Sequence, residues 1–162
     1  MNKIKALVMD VDGTLTDGMI YMGNNGEIMK AFNIKDGYGL KNICKENGII
    51  PIIITGRASK IVENRCNELD ISHVYQGISN KLDKLKMISK ELGIPYDNFS
   101  YIGDDINDLE CMDFLLKRNG LVGCPCDAIR EIKDIATFVS SQKGGSGAVR
   151  EFIDWIVGRE NN

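Results

Sequence analysis

Short apolar runs alternate with helical stripes from one end of the chain to the other. The runs predict strands at Ile4 to Met9, at "IIPIIIT" ending on Thr55, at "HVY" 73–75, at "FSYIG" 99–103, at "GLVGC" 120–124 and at "IATFV" 135–139. Several are apolar at consecutive positions, as strands covered by helices on both faces should be. Pro51 lacks a backbone N–H, so it belongs near the start of the second strand. Between the strands, Ile61, Val62, Cys66 and Leu69 form one helical stripe, and Leu82, Leu85, Ile88 and Leu92 another. Ser79 or Asn80 can cap the second stripe, and Gly93 followed by Pro95 ends it. A last helix is predicted from Ala148 to Val157, carrying Phe152, Ile153 and Ile156.

Strand, helix, strand repeated in this way implies an α/β fold: a Rossmann-like parallel sheet with helices on both faces and right-handed crossovers. With no linker, repeat or low-complexity stretch, residues 1–162 read as a single domain. One segment breaks the alternation. "GMIYMGNNGEIMKAF", residues 18–32, reads as two short strands joined by a "GNNGE" turn. A hairpin there stands at the carboxyl end of the first strand, beside the mouth where open α/β sheets bind ligands. It suits a flap or an oligomer contact; a plain surface hairpin fits the pattern equally well.

Composition narrows the class. With 43% hydrophobic and 27% charged residues, the chain has ordinary globular make-up and enough length for a real core. The net charge of −3, with Lys and Arg scattered among acids, argues against a nucleic-acid partner. No apolar run approaches the roughly 20 residues that span a bilayer, so no membrane partner is expected. The N-terminus is unlike a secretory signal, and a cytoplasmic protein is the expectation. The five cysteines match no paired metal site, although "CPC" at 124–126 has ligand-like spacing; reduced thiols are the simpler reading. His73 is the only histidine, which excludes a His pair or a Ser-His-Asp triad.

Candidate chemistry gathers at predicted strand ends. Asp10 and Asp12 follow the first strand, Thr55 in "TGR" closes the second, and Lys81 in "SNKL" opens a helix after the third. Asp104, Asp105 and Asp108 in "GDDIND" follow the fourth. In a parallel sheet such ends share one rim. Carboxylates that stay ionised close together need a counter-charge, or one of them must protonate. An all-oxygen set without His or thiol suits magnesium, which also bridges to phosphate. The cation offsets repulsion between a carboxylate and a phosphate ester, so that a carboxylate can attack phosphorus. Thr55 and Lys81 would hold the phosphoryl oxygens. Lys81 carries its own signal: a cation at a helix N-terminus is disfavoured by the macrodipole, so an anion should compensate it. Taken singly, each motif also fits a turn or a cap; the ordered combination is what points to chemistry.

"DVDGTLTDG", "TGR", "NKL" and "GDDIND", in this order, resemble the haloacid dehalogenase superfamily of phosphohydrolases. "FNIKDGYGL", "TGRASKIVENRC", "YQGISNKL" and "GGSGAVRE" extend the resemblance to 3-deoxy-D-manno-octulosonate 8-phosphate phosphatases, a branch with no large cap domain. The resemblance implies a magnesium-dependent hydrolase of a sugar-acid phosphate, used in lipopolysaccharide biosynthesis and working through an aspartyl-phosphate. It makes Asp10 the nucleophile and Asp12 the general acid and base. The Asp10 and Asp104 side chains and the Asp12 carbonyl would bind Mg2+, with Asp105 and Asp108 in support. Thr55 and Lys81 fall at phosphate-binding positions, and Gly56 among the substrate-binding ones. Arg57 and Arg65 match positions that reach the phosphate or the sugar acid, Asp105 lies near substrate, and Asn33, Asp36 and Gly37 match a pocket-lining loop. A homotetramer built around the hairpins is also implied.

Two departures bear on selectivity: Ser146 stands where relatives often carry a basic or bulkier residue, and the chain ends eleven residues after Glu151, where several relatives continue. A nine-carbon sialic-type acid 9-phosphate is the alternative substrate. From another class, a phospho-aspartate receiver or a catalytically silent regulatory module remains as a reading. A receiver, however, should carry its adjacent acidic pair on the first strand rather than late in the chain.

Overall fold

The computed structural model describes residues 3–160. In chain order, β1 (Ala6–Met9) leads to β2 (Tyr21–Gly23) and β3 (Gly26–Met29). Next come α1 (Ile34–Tyr38), a π-helical segment (Gly39–Ile43) and α2 (Cys44–Asn47), which run on from one another. β4 (Ile50–Ile54), α3 (Lys60–Glu68), β5 (His73–Tyr75), α4 (Lys81–Leu92) and β6 (Phe99–Ile102) follow. The chain continues through α5 (Ile106–Leu116), β7 (Leu121–Cys124), α6 (Arg130–Ile135), β8 (Phe138–Val139) and α7 (Ala148–Glu160).

Six strands form one parallel sheet in the order β5-β4-β1-β6-β7-β8, and β2 with β3 forms a separate antiparallel hairpin. β1 is fully buried, yet its residues divide between two cores. Leu7 and Met9 join Leu40, Val62, Phe152 and Ile153 on the face covered by α1 to α3 and α7. Ala6 and Val8 join Leu85, Ile88, Met112 and Ile132 under α4 to α6. Each of the Val, Leu, Ile, Met and Phe side chains among them, buried completely, stabilises the fold by about 1.5–3 kcal/mol before entropy is counted. This two-sided covering is why the strands read as continuous apolar runs.

The sheet order decides where a ligand can sit. From β1 the chain builds outward through β4 and β5, then returns to add β6, β7 and β8 on the other side. The reversal falls between β1 and β6, the place where open α/β sheets leave a crevice at their carboxyl ends. β1 and β6 pair from Ala6↔Phe99 to Met9↔Ile102, so the residues that follow emerge side by side.

Differences from the expected elements have local causes. Pro51 is the second residue of β4, and β5 pairs only from Ile52 onward, so its missing N–H interrupts no ladder. The strand expected at 135–139 shrinks to Phe138–Val139, because Ile135 belongs to the end of α6. The helical stretch from Ile34 to Asn47 matches no stripe predicted from the sequence, and its Gly37 and Gly39 disfavour a helix. Here a Cβ on Gly39 would lie 3.0 Å from Ile153 and 3.1 Å from Arg150, so the glycine permits close packing against α7. The chain widens there by one π-turn, with Cys44 N–H bonding Gly39 O. Among the described residues no helix is long and apolar enough to cross a membrane.

Candidate active site

Asp10 is the first residue after β1, and its N–H bonds Ile102 O of β6 at 3.2 Å. Its carboxylate is almost fully buried and lies 2.9 Å from Lys81 Nζ. Lys81 opens α4 just after the Asn80 cap, and its ammonium also touches Asp108 Oδ1 at 2.8 Å. Asp108, wholly buried, takes Tyr101 OH at 2.7 Å on that oxygen. Its other oxygen accepts the Asp104 N–H at 3.1 Å and the Asp105 N–H at 3.4 Å, the latter closing the capping box that starts α5. Asp108 therefore orients Lys81 and the turn carrying Asp104. Thr14 Oγ1 donates to Asp104 Oδ1 at 2.8 Å.

Gly13 has φ +92°, and a Cβ there would meet Asp104 Oδ2 at 2.1 Å. The glycine of "DVDGT" is thus required twice, by its left-handed backbone and by the closeness of the Asp104 carboxylate.

One ligand oxygen from each of Asp10, Asp104 and Asp108 falls within 4.8 Å of the others. Burial, with the Asp108 charge adding, pushes the Asp10 carboxyl up to about 6 despite Lys81. Burial pushes Asp104 up to about 7, opposed by the bond from Thr14, with the Asp10 and Asp108 charges adding to the rise. Burial works against charge on Lys81, but the Asp108 and Asp10 carboxylates prevail and raise its pKa. One lysine is therefore too little positive charge for these acids. The donor set, all hard oxygen and short of cation, fits a magnesium ion at Asp10 and Asp104, with Asp108 already committed to Lys81 and Tyr101.

A pH dependence follows from the two raised carboxyls. The folded state keeps protons that the unfolded chain releases near pH 4. That stability is fully present below about pH 4 and is lost as pH rises through about 6 to 7. Metal-free protein should therefore melt at a lower temperature near pH 8 than near pH 5. Magnesium should recover more of the loss at the higher pH. Calorimetry with and without the ion checks this; a metal-free melting temperature that rises over this interval would contradict it.

The acids open onto a cleft of about 170 Å³ lined by Asp10, Asp12, Thr55, Gly56, Arg57, Asp105 and Asn107. Thr55 is buried at the end of β4, Arg57 is exposed at the rim, and Asp105 caps α5 through the Ile106 N–H at 2.7 Å. A larger hollow of about 340 Å³ lies among Leu40, Lys41, Lys45, Ile50 and Pro51, by the amino end of β4. The acid cluster lies at the opposite ends of the strands.

Asn33, Asp36, Gly37 and Arg65 do come together, but none of them lines the acid cleft. They surround a third cavity of about 10 Å³, room for little more than one water. Within one chain these four lie apart from the acid cleft. Asp36 is buried and accepts the Arg150 N–H at 2.8 Å, capping the first turn of α7. Burial pushes its carboxyl up to about 6, opposed by the N–H groups it receives. Arg65 bonds Glu68 at 2.8 Å and lies 5.8 Å from the centre of the Phe32 ring, with Gly37 leaving room for its guanidinium. Asn33 caps α1 through the Lys35 N–H at 2.8 Å.

Several residues at the site went unassigned from sequence. Thr14, Tyr101 and Asn107 lay inside or beside quoted motifs with no role given to them. Glu27 and Lys30 of the hairpin reach over the cleft: Lys30 bonds Asp12, and Glu27 meets Arg57 at 3.2 Å. Their one visible signal was a pair of opposite charges in a hairpin otherwise rich in Met and Ile.

No protein-family model matches the chain. It is 45% identical over 155 residues to the 3-deoxy-D-manno-octulosonate 8-phosphate phosphatase KdsC of Escherichia coli, an alignment covering 95% of this chain and 79% of that protein. The fold is similar to that phosphatase from Moraxella catarrhalis, solved with magnesium, phosphate and KDO (40% identity, TM-score 0.90, 98% of this chain and 88% of that one). It is also similar to the cobalt-bound enzyme of Haemophilus influenzae (33% identity, TM-score 0.91, 98% and 90%). Likeness of this extent in both sequence and fold leaves one assignment: the chain belongs to the KdsC-type 3-deoxy-D-manno-octulosonate 8-phosphate phosphatases of the haloacid dehalogenase superfamily.

Proposed function

We propose that the protein is a magnesium-dependent phosphatase that hydrolyses 3-deoxy-D-manno-octulosonate 8-phosphate to the free sugar acid and phosphate. The observation that carries this reading is the buried Asp10–Lys81–Asp108 group, with Asp104 beside it, at the floor of a cleft rimmed by Asp12, Thr55 and Arg57. Magnesium held by Asp10, Asp104 and the Asp12 carbonyl would supply positive charge to the carboxylates and to the phosphoryl oxygens.

An Asp10 carboxylate oxygen attacks phosphorus, and the bond from phosphorus to the sugar oxygen breaks. Asp12 gives its proton to the departing alkoxide. A water then attacks the aspartyl-phosphate, Asp12 takes a proton from it, and phosphate leaves with Asp10 restored. Lys81 and Thr55 stabilise charge on the phosphoryl oxygens through both steps. Arg57, exposed at the rim, suits the substrate's carboxylate or phosphate.

Hydrolysis of the eight-carbon 8-phosphate and the nine-carbon 9-phosphate under magnesium tests the substrate. The eight-carbon ester should have the higher kcat/KM; a tenfold advantage for the nine-carbon ester would overturn this choice. Activity should vanish in excess chelator and return with added magnesium. The receiver and silent-module readings lose ground, because the filled catalytic positions converge and the relatives are phosphatases.

The hairpin supports a homotetramer. Met19, Met22, Ile28, Met29 and Ile34 are each about half exposed or more, apolar side chains that a lone chain leaves in water. Sedimentation should give four chains for the wild type and fewer for Met22→Glu with Ile28→Glu; an unchanged mass would exclude the hairpin contact. The five free thiols, four of them buried, suit the reducing cytoplasm, which cell fractionation checks.

A further inference from the structure

We propose that Lys30, held by Glu27, is a positioning residue that sets the Asp12 carboxylate for proton transfer, so that the hairpin is part of the catalytic apparatus. This rests on the reading of Asp12 as general acid and base.

An exposed lysine–carboxylate pair contributes little. Lys30 is different: its side chain is 2% exposed, in a hairpin where Met19, Ile20, Met22, Ile28 and Met29 face solvent. Its ammonium is shared between Asp12 Oδ1 and Glu27 Oε1, the latter at 2.9 Å. Glu27 is fixed in turn by Ser59 Oγ at 2.5 Å and by Arg57 at 3.2 Å. Ser59 is tied down by its own N–H, which bonds Gln76 Oε1 at 2.8 Å. A continuous line of charged and polar contacts thus runs from the loop after β4, through the hairpin, to Asp12. Arg57 lies 3.9 Å from the same Asp12 oxygen, too long for a hydrogen bond, so Lys30 makes the short contact. With Oδ1 engaged, the carboxylate cannot swing, and the other oxygen is left to carry the proton to the bridging ester oxygen.

Proton donation matters in proportion to the basicity of the leaving group. An alkoxide needs it, whereas p-nitrophenolate departs without it. For Lys30→Met, kcat/KM on the sugar-acid phosphate should fall by about 30- to 100-fold, while kcat/KM on p-nitrophenyl phosphate falls by less than about threefold. Lys30→Arg should recover most of the loss, and Glu27→Gln should show a smaller loss, about fivefold to tenfold, with the same selectivity. A merely structural role would lower both substrates alike, and that result, or no loss at all, overturns the proposal. If Lys30→Met does not fold, Lys30→Arg and Glu27→Gln are judged by the same comparison, and equal effects on the two substrates again overturn it. Asp12→Asn is the reference. If it shows no leaving-group selectivity, the acid–base reading itself fails; if it does and the Lys30 and Glu27 variants do not, only the role of Lys30 falls.

Discussion

Asp10→Asn will leave a folded protein that releases no phosphate, with turnover reduced on the order of 10⁴-fold or more. The amide keeps the shape of the carboxylate but cannot form the acyl-phosphate bond. Stability should hold, for a physical reason visible in the site. Burial and the Asp108 charge already push the Asp10 carboxyl up to about 6, so the fold favours a neutral group at this position. Above that pH, metal-free Asp10→Asn should melt no lower than the wild type. Single-turnover assays and thermal melts near pH 8 measure both effects; residual turnover above about a tenth of wild type would contradict covalent catalysis by this residue.

The second large effect falls on stability as well as rate. Lys81→Met removes the cation that touches two buried carboxylates, Asp10 at 2.9 Å and Asp108 at 2.8 Å. Truncating one partner of such a group leaves uncompensated buried charge, which costs about 3–5 kcal/mol. The cost should be greatest near neutral pH and smaller near pH 5, where Asp10 can accept a proton. Urea unfolding at the two pH values measures it. A loss below about 1 kcal/mol at pH 8 would mean that Lys81 is not what balances these acids. Activity should fall with it, since the same ammonium is placed to hold the transferred phosphoryl group.

These expectations rest on features of unequal legibility. The apolar runs were readable because a strand covered on both faces leaves few positions for polar residues, and Asp10 was readable as the abrupt end of one such run. Lys81 was readable from an electrostatic oddity, a cation where a helix begins, and its two carboxylate partners supply the explanation. Asp36 was legible only as a motif residue. Its carboxylate caps α7, 114 positions further along the chain, and no local pattern encodes that bond. Lys30 was missed for a similar reason: its contact with Asp12 spans 18 residues and depends on how the hairpin folds back over the cleft.

Local order along the chain determined the alternation of strands and helices, the acids at strand ends and the chemistry they suit, because hydrophobic period and residue type act over a few neighbours. Tertiary structure decided the helix through Gly37 and Gly39, the removal of Asn33, Asp36, Gly37 and Arg65 from the acid cleft, and the arrival of Glu27 and Lys30 beside Asp12. Each of these depends on close approach between segments far apart in sequence, where packing and charge pairing override local preference.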